Sequence, residues 1–108
     1  MSVTIVQYRT RPEQADENQG LVEAVFRELA ATAPDGLRYA SFRLADGVSF
    51  VHVAEVTTAD GTNPLTATPA FTEFVREIAD RVEDGPHASG ASLVGEYGFA
   101  STAGTPRG

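Results

Sequence analysis

The order in which local patterns follow one another constrains this chain most. Strand-like, helical, strand-like, strand-like, helical and strand-like segments succeed each other with little left between them, and Asp46-Gly47 marks the centre. Val3 to Arg9 reads as a strand rich in β-branched and aromatic residues, and Arg11-Pro12 ends it. Asp16 and Gln19 have capping-box spacing. Leu21, Val22, Val25, Phe26, Leu29, Ala30 and Ala33 then recur at helical intervals until Pro34-Asp35-Gly36 stops the pattern.

Leu37 to Leu44 and Val48 to Thr57 flank Asp46-Gly47, the pair favoured in two-residue type I′ hairpins because both turn positions need positive φ. Counting outward, Leu44 faces Ser49, Phe42 faces Val51, Ala40 faces Val53 and Arg38 faces Glu55. The other face pairs Arg43 with Phe50, Ser41 with His52 and Tyr39 with Ala54. A slip of one residue would mix the two sets. The first face is apolar and is expected to lie under the helices. The second is polar and aromatic and is expected to need cover from elsewhere. Thr58 to Ala67 reads as a polar connection. Thr68 caps a second helix with Pro69 at its first position, Phe71, Phe74, Val75, Ile78 and Val82 form its inner stripe, and Glu73, Arg76, Glu77 and Arg81 its wet side. Asp84-Gly85-Pro86 is expected to end it, Ser92 to Phe99 to be the last strand and Ala100 to Gly108 a frayed tail. A β-α-β-β-α-β order of this kind predicts an α+β, ferredoxin-like unit with a four-stranded antiparallel sheet, spanning residues 1–99 as one domain.

Composition narrows the function classes. The 108 residues allow one domain, and 42% hydrophobic with 21% charged residues is ordinary globular material. A formal charge of −7 disfavours nucleic-acid binding, which needs clustered Lys and Arg. Cysteine is absent, which removes disulfides and thiolate metal sites. No apolar run reaches membrane-spanning length, and Met1-Ser2-Val3-Thr4 lacks a basic leader, so a soluble cytoplasmic protein is expected.

Ser49-Phe50-Val51-His52-Val53-Ala54-Glu55-Val56, followed after a polar loop by Thr68-Pro69-Ala70-Phe71-Thr72-Glu73-Phe74, resembles the dimeric α+β barrel superfamily, and within it the antibiotic biosynthesis monooxygenase-like group. The first run is similar to that group's third strand with its terminal acid, the second to its Pro-x-Phe helix start, and Gly95-Glu96-Tyr97-Gly98-Phe99 to its closing strand. Where many relatives carry a Trp after the acid, this chain has Val56, and Asn63-Pro64-Leu65 stands where many place a His. The resemblance implies a homodimer whose sheets pack face to face, with a pocket lined by the mixed hairpin face.

His52, on that face, is the candidate general base, since imidazole titrates near neutral pH. Tyr39, Arg43, Phe50 and Tyr97 are candidate substrate-binding residues, with interface packing as the competing reading. Which side Gln7 and Arg9 take is left open by the first strand's alternation. His87 reads as solvated, and neither histidine has a carboxylate at metal-ligand spacing. No G-x-S-x-G elbow, nucleotide loop or flavin motif is present, so no cofactor is expected. Two function classes follow: a cofactor-independent oxygenase-like enzyme acting on an aromatic or polyketide-type molecule, and a non-catalytic homodimer that binds a small molecule or has a structural role.

Overall fold

The computed structural model describes residues 2–98. Its elements run β1 (Ser2–Thr10), α1 (Ala15–Thr32), β2 (Leu37–Arg43), β3 (Ser49–Val56), α2 (Pro69–Val75), α3 (Ile78–Arg81) and β4 (Val82–Ala91). The strands form one antiparallel sheet in the order β2-β3-β1-β4. The α+β, ferredoxin-like order read from the sequence is therefore present. The hairpin register is also the one reached by counting, with Arg38 opposite Glu55, Ala40 opposite Val53 and Phe42 opposite Val51.

The turn that sets this register differs from the two-residue type I′ expectation. Gly47 takes φ +80°, but Asp46 does not enter the left-handed region. Leu44 N–H bonds Ser49 O at 2.8 Å, and Gly47 N–H bonds Leu44 O at 2.9 Å. The Asp46 carboxylate organises the rest, accepting from the Ser49 hydroxyl and from the Val48 and Ser49 N–H groups. The Ser49 hydroxyl, then the two N–H groups, hold its carboxyl below the usual range.

The two faces of the sheet are assigned opposite to the sequence expectation. The helices cover the mixed face: Tyr8 and Phe50 are buried together with Val22 and Val25 of α1 and Phe74 of α2. Phe42, expected in the core, is 41% exposed and faces away from the helices with Ala40, Val51 and Val53. Ile5 and Gln7 share that outer face through their pairing with Val53 and Val51, and Arg9 follows them by alternation. The physical reason is hydrogen-bond satisfaction. The polar side chains of the mixed face bond one another, so each has a partner when buried, and its rings fill more core volume than the aliphatic face could.

The C-terminal half departs most. α1 carries no side-chain cap from Asp16, which lies inside the helix, and it ends at Ala33 with φ +44°. The polar connection contains a 3-10 turn, Pro64–Ala67, that buries Leu65. The second helix stops at Val75, which is 41% exposed, and Glu77 takes φ +63° before α3 begins. Val82 belongs to β4 rather than to a helical stripe, and Arg81 is 4% exposed rather than on the wet side beside Glu77. The last strand is Val82–Ala91, carrying His87, and 92–98 have no strand pairing. β4 is an edge strand, which tolerates Pro86. Gly85 cannot be replaced there without strain: its φ is +95°, and a Cβ would meet Gln7 O at 2.9 Å. Phe99 and the expected tail lie outside the described residues.

Candidate functional site

Between helices and sheet runs a chain of polar side chains supplied by five elements. His52, on β3, is 5% exposed. Its Nε2 lies 2.8 Å from the Tyr8 hydroxyl, and its Nδ1 lies 2.7 Å from both the Tyr39 and the Ser41 hydroxyls. The Asn18 amide donates to Tyr8 Oη at 2.7 Å, and Arg81 Nε donates to Asn18 Oδ1 at 3.1 Å. Arg81 also donates to the carbonyls of Phe74 and Arg76, which the end of α2 leaves without helical partners. Its guanidinium sits 5.4 Å from the centre of the Phe74 ring. Among the described residues no carboxylate pairs with it.

Aromatic packing fixes these groups. Tyr8 stacks on Phe50 and on His52 at 5.5 and 5.3 Å between ring centres, and Phe74 closes on His52 at 5.4 Å. Tyr39 is held between His52, at 5.9 Å, and Phe26 of α1, at 5.0 Å. Burial pushes the His52 imidazole down to about 4 and the Tyr39 phenol up to about 12, and it raises Tyr8 as well. At neutral pH the imidazole and both phenols are uncharged, and Arg81 is the cation of the chain.

Burial of neutral His52 carries a pH signature. The unfolded chain takes up the histidine proton near pH 6.5, whereas the folded chain resists it down to about 4. Between these values the unfolded state binds more protons, so stability is full above pH 6.5 and falls as pH drops through this window, by about 3 kcal/mol. Urea melts between pH 7 and 4 should show a loss that His52→Gln reduces. A pH-independent midpoint in that window would contradict it.

The chain of polar groups meets open space at Tyr39. A cavity of about 590 Å³ lies there, lined by Phe26 and Leu29 of α1, by Leu37 and Tyr39 of the helix-covered sheet face, by Val53 of the outer face, and by Leu93. Its walls are largely apolar. The polar exceptions are Tyr39, Glu96 and the Arg38–Glu55 pair at 3.5 Å. An apolar cavity with few polar groups suits a small molecule.

Of the residues singled out from the sequence, His52, Tyr39 and Phe50 come together. Arg43 lies at the rim, 5.6 Å above the Phe50 ring, donating to Asp16 at 3.1 Å and Gln19 at 2.7 Å. Tyr97 is 99% exposed and touches none of them. Sequence reasoning missed Tyr8, Asn18 and Arg81. A signal existed for two of them. Asn18 falls on the stripe of Val22 and Val25, and Arg81 on that of Phe74 and Ile78, so each is a polar residue at a core position. Among the described residues no three His, Cys, Asp or Glu side chains gather as a metal site, and no helix is long and apolar enough to cross a membrane.

Among solved structures, Rv0793 from Mycobacterium tuberculosis superposes with a TM-score of 0.69 at 17% identity, covering 88% of this chain and 96% of that one. A structure described as an antibiotic biosynthesis monooxygenase gives 0.67 at 21% identity, covering 88% and 100%. The fold is that of the antibiotic biosynthesis monooxygenase-like proteins. SnoaB, a cofactor-independent oxygenase from Streptomyces nogalater, also shares it, with a TM-score of 0.62 at 17% identity over 88% and 95%. No family model and no curated protein matches the chain.

Proposed function

We propose that this chain binds a small aromatic or polyketide-type molecule in the cavity beside Tyr39 and oxygenates it without a cofactor. The observation that carries the reading is the cavity itself: apolar walls, room for a fused-ring molecule, and one phenol fixed at its edge by His52. The fold shared with SnoaB supports the oxygenase part. In such a reaction an activated methylene loses two hydrogens, one oxygen atom enters as a carbonyl and the other leaves as water. The substrate supplies the electrons. His52 acts here as a positioning residue rather than the base, because an imidazole held to about 4 is a weak proton acceptor at neutral pH and both its nitrogens are engaged. Arg43, Tyr97 and Phe50 then lie outside the binding wall, Phe50 being stacked on Tyr8.

Anthrone tests the reading. Binding with oxygen consumption that Tyr39→Phe lowers by about tenfold or more is the expected result. Binding without consumption would support the alternative, a non-catalytic binding protein, and absence of binding would overturn both.

The same reading includes a homodimer, formed through the outer sheet face rather than the mixed face. Ile5, Ala40, Val51 and Val53 lie on that face, and no helix of the described residues covers it. Sedimentation at micromolar concentration should give a dimer, and Val51→Lys should dissociate it. A wild-type monomer would remove this part of the proposal.

A further inference from the structure

We propose that the buried chain from Arg81 to Tyr39 has one direction of hydrogen donation, and that it therefore presents a hydrogen, not a lone pair, to the cavity. The ligand would then carry an acceptor oxygen, a carbonyl or an ionised phenol, against Tyr39. This rests on the cavity beside Tyr39 being the binding site.

The direction starts at Arg81, which can only donate. Its Nε–H goes to Asn18 Oδ1, which fixes the amide so that Nδ2 faces Tyr8 and donates to its oxygen. The Tyr8 hydrogen then has His52 Nε2 as its acceptor at 2.8 Å. A neutral imidazole that accepts at Nε2 carries its hydrogen at Nδ1. That hydrogen is met by two hydroxyl oxygens, Tyr39 Oη and Ser41 Oγ, both at 2.7 Å. Each of these hydroxyls brings a hydrogen of its own. At most one of the two can be used between them, so one is left over. Of these two residues Tyr39 is the one that lines the cavity, so the spare hydrogen is assigned to its hydroxyl. Asn18, Tyr8 and His52 are thus positioning residues, acting on the ligand only through Tyr39.

Asn18→Asp tests the direction with little change of shape. A carboxylate there still accepts from Arg81 but has no hydrogen for Tyr8. The Tyr8 hydrogen would turn towards it, His52 would carry its hydrogen at Nε2, and Nδ1 would take the Tyr39 hydrogen. Two-bond ¹H–¹⁵N correlation spectra of the histidines read the tautomer directly, in wild type and variant, and need no ligand. The expected result is Nδ1–H for His52 in wild type and Nε2–H in Asn18→Asp. Binding supplies the second measurement. Wild type should hold anthrone roughly 3–10-fold more tightly than 9,10-dihydroanthracene, the range of one hydrogen bond, and the ratio should fall to about one in Asn18→Asp with the hydrocarbon's affinity unchanged. Nε2–H in wild type, or an unchanged ratio in the variant, would overturn the inference. Wild type that binds neither compound but shows Nδ1–H overturns the cavity reading and the ligand assignment, while the direction of donation stands.

Discussion

Arg81→Ala is expected to destabilise the fold by about 3–5 kcal/mol, read from the midpoint of a urea melt. The guanidinium serves three acceptors, two in buried bonds, Asn18 Oδ1 and the Phe74 carbonyl, and one partly buried, the Arg76 carbonyl. Each acceptor left dry costs about 1–3 kcal/mol, and the three losses overlap because the groups are neighbours. The ring contact with Phe74 goes as well. Arg81→Lys should recover little, since a single ammonium cannot reach acceptors laid out for a planar fork. A loss below about 1 kcal/mol would show that water replaces the side chain and that the site is wetter than its burial indicates.

The second large effect separates the two faces of the hairpin. Phe50→Ala should cost about 3–5 kcal/mol, because Phe50 is 2% exposed and stacked on Tyr8. Phe42→Ala should cost less than half as much at concentrations where the protein is monomeric, because the residue is 41% exposed on the outer face. Equal costs in matched denaturant melts would mean that the faces are not as assigned.

How far the sequence could be read follows from what each pattern encodes. Element order, the register of β2 against β3 and the α1 stripe were legible because period and turn chemistry are local. The choice of face was not. Apolar count favours Phe42, Val51 and Val53 as the inner set, yet Tyr39, Ser41 and His52 can be buried because they bond one another across strands. Such satisfaction is invisible until the strands are paired. The end of α2 failed for a related reason. Ile78 and Val82 continue a helical period, but Arg81 reaches back to the Phe74 and Arg76 carbonyls, and Glu77 adopts a left-handed conformation without glycine. β4 was hidden by Asp84-Gly85-Pro86, which reads as a stop but is tolerated at a sheet edge. At the site, His52, Tyr39 and Phe50 were visible as a cluster on one strand face, whereas Tyr8, Asn18 and Arg81 join only through the tertiary fold.

The links of the buried chain span very different stretches of sequence. Tyr8 and Asn18 are 10 residues apart, but Tyr8 and His52 are separated by 44 and Asn18 and Arg81 by 63. The longer links cannot form before most of the polypeptide has been gathered, because the entropy of closing those loops comes first. The Tyr39–His52 link spans only 13 residues within the hairpin, but its burial beneath Tyr8 needs those longer links as well. Once formed, it opens only with the core, so amide exchange at His52 should report the global stability of the domain rather than a local fluctuation.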